Sequence, residues 1–370
     1  MKKSLLALAV LGAFAGVAQA QTSVTIYGSF DAGVRYQQDV DAAGHSRTTM
    51  GSNGTYNSNR LGFKGVEDLG GGLNAHFTLE SGFNSGTGAL DNTTNKLFQR
   101  SSFVGLGSQY GSLDFGRQYT VAFKTIGAYD PFNYKFTGII PLTGEVTAGT
   151  RTDNNIQYTG TFGGITGRAE YSLGERAGGG SGGSHAAVGA TYSNGPLSFG
   201  GAYTARKPNL ATAAQQTAGN NNFQDNKHWT VGGAFTFGAA RVAAGYAQEN
   251  QDLASGSGDS SRKDAWIGGS FDITPAIGLT AAYYHTKLDA NTAGVSGGGK
   301  RGLFIFGTTY ALSKRTNLYA DIDYAKYDGG LETPVNALTR NTVITAQRSL
   351  FSAPGQDSML GVSVGVNHLF

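Results

Sequence analysis

One pattern governs this chain. Apolar residues alternate with small, polar and charged ones over segments of about ten residues, again and again. Side chains of a β-strand point to opposite faces with period two, so each such segment has one apolar and one polar face. Val24, Ile26, Phe30, Ala32 and Val34 share a parity, and Thr25, Tyr27, Ser29, Asp31 and Arg35 share the other. Leu73, Ala75, Phe77, Leu79 and Phe83 oppose Asn74, His76, Thr78 and Glu80. Leu318, Ala320, Ile322 and Tyr324 oppose Asn317, Tyr319, Asp321 and Asp323. The last ten residues, GVSVGVNHLF, do the same, with Val362, Val364 and Val366 against Ser363, Gly365 and Asn367. A soluble sandwich core would not accept so many charges on its hidden face. The charged face is therefore wet, and the apolar face meets either a protein core or lipid.

The first twenty residues, MKKSLLALAVLGAFAGVAQA, decide between these. Lys2 and Lys3 form a charged n-region, 5–17 an apolar h-region, and Ala18 and Ala20 an A-x-A site. This is a secretory signal (1–20), with cleavage expected between Ala20 and Gln21. The remainder, 21–370, reads as a single domain. It holds no apolar run near 18 residues, hence no transmembrane helix. Cysteine is absent, which excludes a disulfide scaffold and thiolate metal sites. With the two signal lysines removed from the 28 basic residues, 26 face 25 acidic ones, so no basic excess draws nucleic acid.

The alternation predicts sixteen strands, near 24–36, 59–67, 72–84, 97–107, 111–119, 152–161, 165–175, 185–194, 196–206, 228–237, 239–250, 262–273, 277–287, 302–312, 315–327 and 359–370. Most are about ten residues, the length a tilted strand needs to cross a bilayer. Seven short Gly-, Asn- or Pro-rich turns, such as EDLGGG at 67–72 and NG at 194–195, alternate with eight long polar stretches. That is the arrangement of an even-stranded outer-membrane barrel with both termini on the short-turn side. An all-β, 16-stranded antiparallel transmembrane barrel leaves no free edge, so 359–370 must pair with 24–36. Phe370 then sits in the periplasmic aromatic girdle.

The stretch 120–151 is long and apolar, with Phe123, Ile126, Tyr129, Phe132, Tyr134, Phe136, Ile139 and Ile140. Such a loop packs on something, and folding into the barrel lumen is the available solution. It would carry Asp130 and Glu145 into the pore. Basic residues on lumen parities or strand ends face it: Arg35, Arg60, Lys64, Arg100, Arg151 and Arg168. Arg117 shares parity with the outward Leu113 and Phe115, so either a bulge intervenes or the side chain snorkels. Pairing with Asp31, Glu80 or Asp114 would make some of these arginines wall braces rather than selective charges.

Three stretches, NSNRLGFKGVEDLGGGLNAHFTLESGF (57–83), FVGLGSQYGSLDFGRQYT (103–120) and RTDNNIQYTGTFGGITGRAEY (151–171), together with the terminal NHLF, resemble the general porins of Gram-negative outer membranes, the betaproteobacterial type in particular. The resemblance implies a homotrimer of water-filled barrels, joined through the early strands. It also implies a third long loop folded inward, and a basic cluster best matched by Arg60, Arg100 and Arg151. Phe370 resembles the terminal aromatic read by the barrel-assembly machinery. The bilayer, lipopolysaccharide, and small anions and hydrophilic solutes are the implied partners, and no cofactor is implied. An excess of arginine over acid near the narrowing implies a mild anion preference. A substrate-specific channel and a surface adhesin or receptor barrel are the other readings. An enzyme is disfavoured, because none of the six histidines stands at a metal-ligand spacing and no G-x-S-x-G elbow occurs.

Overall fold

The computed structural model describes residues 23–51, 55–92, 95–143, 149–175, 177, 181–207, 223–253, 258–292, 295–296, 298–329 and 355–370. The predicted Ala20–Gln21 cleavage site and Glu145 lie outside the described residues. Sixteen long strands form the wall. They are β1 (Ser23–Gln37), β2 (Arg60–Gly70), β3 (Leu73–Gly82), β4 (Ser101–Ser108), β5 (Gly111–Tyr119), β6 (Arg151–Phe162), β7 (Ile165–Ser172) and β8 (His185–Asn194). There follow β9 (Leu197–Arg206), β10 (Phe223–Phe237), β11 (Ala240–Leu253), β12 (Gly258–Thr274), β13 (Ile277–Thr292), β14 (Gly299–Ala311), β15 (Thr316–Gly329) and β16 (Ser358–Leu369). Each pairs antiparallel with its chain neighbours, and β1 closes on β16 from Ser29↔Leu369 to Gln37↔Gly361.

Closure satisfies the last residue. Gly28 donates its amide to the Phe370 carbonyl at 2.9 Å, and Phe370 donates back to Gly28 at 3.2 Å. The Phe370 ring lies over Gly28 on the outer wall, where any Cβ would come within 2.3 Å of it. Glycine is required there by close approach, not by its dihedral freedom.

Burial runs opposite to that of a soluble sheet. On β1, Ile26 is 62% exposed while Ser29 and Asp31 are 0% and 1% exposed. Aliphatic and aromatic residues cover the outside, as a lipid-facing wall requires, and polar residues point in. A short strand, Arg47–Gly51, extends the wall by pairing with the upper part of β1, while β2 pairs with its lower part. Between them the chain turns inward. Asp31 Oδ2 accepts the Tyr56 and Asn57 amides at 3.0 and 2.7 Å.

The segment from Thr120 to Thr143 enters the lumen, as its apolar content requires. Helix α1 (Val121–Ile126) starts at Thr120, whose hydroxyl accepts the Phe123 amide at 3.2 Å. Glu170 Oε1 accepts the Val121 amide at 3.0 Å, at the helix N-terminus. The helix lies close against the wall at Gly189, where a Cβ would come within 2.8 Å of Val121 Cγ1 and Thr125 Oγ1. Beyond it, Ile126, Tyr129, Phe132, Phe136, Ile139, Ile140 and Leu142 are buried against inward-facing Trp266, Tyr284, Leu303, Ile305 and Tyr327. The core of the molecule is therefore inside the barrel, on the β11–β15 side.

Candidate functional site

The loop divides the lumen. One side is filled by the apolar contact with β11–β15. On the other side, between the loop and β2–β6, a cavity of about 690 Å³ remains open. Among the described residues its lining carries six cations, Arg60, Lys96, Arg100, Arg117, Lys135 and Arg151, and one carboxylate, Asp91. Two further carboxylates, Glu80 and Asp153, stand directly behind these cations.

Arg100 is buried and bound to Glu80, Nε to Oε1, at 2.6 Å, and its Nη2 donates to the Tyr119 hydroxyl at 2.6 Å. It stands just ahead of β4 rather than within it. Arg60 lies 4.0 Å from the same carboxylate, which also accepts the Tyr27 hydroxyl at 3.0 Å. Arg151 donates Nη2 to Tyr119 at 2.8 Å and lies 4.4 Å over its ring. Its Nε has no partner among the described residues. Arg117 reaches the cavity because of a bulge: the β5–β6 register shifts between Gly116 and Gln118, and Gly116 takes φ of +131°. Of the two explanations the parity left open, the bulge is the one adopted. Arg117 then donates to the Gln99 carbonyl at 2.5 Å and to Asp153 at 2.6 Å.

Four positions depart from the sequence reading. Arg35 is not at the constriction. It is buried in the closure seam, 2.8 Å from Asp323 and 3.6 Å from Asp321, because the lumen faces of β15 and β16 bring those carboxylates to it. Lys64 faces the lumen below Arg60, 5.4 Å over the Tyr27 ring, and does not line the cavity. Arg168 is half-buried on β7, away from the cavity lining. Asp130 does not face the pore. It is fully buried, accepting the Tyr284 hydroxyl at 2.5 Å and the Tyr134 amide at 2.7 Å. Burial pushes its carboxyl up to about 6. It fastens the loop to β13 instead of charging the channel.

The fastening is extensive. Trp266 Nε1 donates to the Tyr129 carbonyl at 2.9 Å, Arg262 to Pro141 at 2.7 Å and Arg301 to Ile139 at 3.1 Å. Arg241 donates to the Ala128 carbonyl. The loop tip holds Asn133, Tyr134 and Phe136 at φ of +51°, +56° and +56°, a strained region for bulky residues. These anchors and the Phe136 amide bonded to the Tyr56 carbonyl at 2.8 Å keep it there.

Sequence reasoning did not single out Lys135 and Lys96. Lys135 is on the loop and stands 5.3 Å over the Tyr56 ring. Burial, with the nearby Arg60 charge, lowers its ammonium to about 8. Lys96 bonds Asp153 at 2.7 Å. Loop lysines carry no parity signal, so only the folded path brings them to the arginines. Burial raises the Asp91 carboxyl, against the pull of the Arg100 and Arg151 charges. Tyr119, Phe123 and Tyr134 stack at 4.8 and 4.1 Å between centroids. Arg151 covers one end of the stack and Gly127 the other, so the rings brace the loop root and present only edges to the cavity.

A family profile described as Gram-negative porin matches residues 7–330. An outer membrane porin protein of Bordetella pertussis is 36% identical over 90% of this chain and 96% of its own length. Outer membrane porin protein 32 of Delftia acidovorans is 32% identical over 100% of both chains. Among solved structures, an anion-selective porin from Comamonas acidovorans superimposes with a TM-score of 0.74 at 26% identity, covering 95% of this chain and 100% of that one. A trimer form of OmpT from Vibrio cholerae, at 16% identity and a TM-score of 0.67, covers 94% of this chain and 99% of its own and shares the fold.

Proposed function

The chain belongs to the Gram-negative porins, integral barrels of the outer membrane that pass small hydrophilic solutes by diffusion, and from that premise we propose that its pore prefers anions. The observation that carries this is the cavity beside the inward loop, where, among the described residues, six cations meet one lining carboxylate and two more behind it. Fixed positive charge in a channel with low-dielectric walls lowers the barrier for anions and raises it for cations. The loop itself presents Lys135 to the channel, so both banks of the narrowing are basic. The anion-selective relative supports the same reading.

The selective set is Arg60, Arg151 and Lys135, with Arg100, Arg117 and Lys96 partly offset by Glu80 and Asp153. Lys64 and Arg168 extend the positive wall away from the narrowing. We read residues 1–20 as a removed export signal, the remainder as one barrel, and the assembly as a homotrimer inserted by the barrel-assembly machinery with its long loops outside. The protein works as a channel and not as an enzyme. The closed aromatic stack offers no ring face to a solute, which favours general diffusion over a substrate-specific slide.

The test is the reversal potential in a planar bilayer under a KCl gradient, for wild type and for Arg60→Gln, Arg151→Gln and Lys135→Gln combined. Wild type should lean to chloride and the triple variant should swing toward potassium. Open channels whose potential does not move would place the selective charges elsewhere. The absence of any channel in wild type would remove the pore reading itself.

A further inference from the structure

One hydroxyl in the cavity is held by two guanidinium groups at once. Arg100 Nη2 and Arg151 Nη2 both donate to the Tyr119 hydroxyl oxygen, at 2.6 and 2.8 Å. A guanidinium only donates, so the phenol oxygen must accept from each, and both of its lone pairs are then engaged. What remains to that oxygen is its own O–H, which the two positive groups direct away from themselves. Among the described residues this O–H meets no acceptor, since the two guanidinium contacts are the hydrogen bonds that the hydroxyl makes. Tyr119 lines the open cavity between the loop and the wall, so the donor is available to whatever passes there.

The ring is not free to turn. Phe123 covers one face at 4.8 Å between centroids, and the Arg151 guanidinium covers the other at 4.4 Å. Arg100 is fixed in turn by Glu80, at 2.6 Å. The edge that carries the hydroxyl is what meets the cavity. The charges of Arg60, Arg151 and Lys135 draw in every small anion of a given charge about equally, because Coulomb attraction depends on charge and distance alone. A fixed neutral donor acts differently. A hydrogen bond is short-ranged and directional, so it grades anions by how strongly their atoms accept.

We infer that Tyr119 is a specificity-determining residue of the pore, whose O–H donates to the passing anion and favours strongly accepting oxyanions over weakly accepting ones of the same charge and size. The inference deepens the anion-preferring reading given above and rests on it. The hydroxyl adds no charge, so it acts within the set of anions and leaves the balance between anion and cation to the arginines and Lys135.

The test keeps the phenol oxygen and removes its proton. Full-length protein carrying Tyr119→O-methyltyrosine is compared with wild type in planar bilayers at neutral pH. The probes are formate and nitrate, two small planar oxyanions of one charge, of which formate is the stronger hydrogen-bond acceptor. The ether oxygen still accepts from Arg100 and Arg151, which a phenylalanine would not, so the guanidinium groups keep their anchor. The formate-to-nitrate permeability ratio, read from bi-ionic reversal potentials, should fall by about threefold, near the low end of what one hydrogen bond contributes. Tyr119→3-fluorotyrosine, nearly unchanged in shape and a stronger O–H donor, should raise the ratio, and it decides alone if the methylated protein fails to fold. A wild-type ratio in the methylated protein overturns the inference, since the methyl group would then only narrow the pore for both anions alike. A fluorinated ratio at or below the wild-type value overturns it as well. The KCl reversal potential of the same membranes reports separately on the pore reading. A wild type that does not lean to chloride strikes that reading, whereas a chloride-leaning wild type whose formate-to-nitrate ratio ignores the methyl group strikes this inference alone.

Discussion

At the scale of single residues, the cavity separates charges by what stands behind them. Among the described residues Arg151 bonds only the Tyr119 hydroxyl and ring, whereas Arg100 is locked to buried Glu80. A unit charge about 8 Å from the ion path is worth about 0.5 kcal/mol in water, with opposite signs for anion and cation. Removing it therefore changes the permeability ratio by up to about fivefold before screening. Arg151→Gln should shift the reversal potential toward cations by that order. Glu80→Gln should shift it the other way, because one of the three counter-charges among the described residues disappears while its shape stays. Arg100→Ala belongs to a different class: it strands a buried carboxylate and should cost about 3–5 kcal/mol of stability. Equal, same-sign shifts for Arg151→Gln and Glu80→Gln would rule out an electrostatic origin. Lys135 adds a pH dependence. Its ammonium is lowered to about 8, so its charge is present at neutral pH and lost as pH rises through that value. Anion preference should fall between pH 7 and 9 in wild type and fall less over that range in Lys135→Met, where only Lys124, farther from the cavity and also lowered to about 8, still titrates among the two loop lysines.

At the scale of elements, the strands were legible because lipid on one side and water on the other impose alternation. All sixteen segments read from the sequence are strands of the wall. β10 to β13 nevertheless run further toward the long loops than the alternation indicated, to Phe223, Leu253, Gly258 and Thr292. Above the membrane both faces are polar and the period-two signal vanishes. The five-residue strand Arg47–Gly51 is missed for the same reason. The inward row of Trp266, Tyr284, Leu303 and Ile305 breaks the rule in the opposite sense. These side chains face a dry contact with the loop, so both faces of their strands are apolar. That also explains Asp130, which the sequence reading placed in the water of the pore. Whether a loop carboxylate faces water or a wall depends on which strands receive the loop, and only tertiary structure supplies that. Asp130 keeps its proton up to about pH 6 when folded, against 3.8 for an ordinary aspartate. Its stabilising contribution is therefore complete below pH 3.8 and declines as pH rises through 6, by about 3 kcal/mol at most. Wild type should melt at a higher temperature at pH 5 than at pH 7 by more than Asp130→Asn does. Identical pH slopes for the two would mean that the carboxyl is already ionised in the fold.

At the scale of the whole molecule, the inward loop is both the core of the barrel and its constriction. Its two roots meet: Thr120 donates its amide to the Thr150 carbonyl at 3.2 Å and its hydroxyl to Gly149 at 2.9 Å. Excising 123–149 therefore leaves ends that a short turn can join without disturbing β5 or β6. The wall itself does not depend on the loop, since every strand is hydrogen-bonded to two neighbours and β16 closes on β1. The excised barrel should insert and conduct, with conductance raised severalfold, because Lys135, Phe123 and Tyr134 no longer narrow the cavity beside Arg60 and Arg151. Anion preference should weaken but keep its sign, since the wall arginines remain in a wider, better-screened channel. Stability should fall, because Trp266, Tyr284, Leu303 and Ile305 would then meet pore water. Planar-bilayer recordings of the excised barrel, set beside its melting temperature, check all three at once. Unchanged conductance would mean that the segment does not limit the pore. Raised conductance with undiminished selectivity would place the selective charges wholly on the wall and leave Lys135 a bystander.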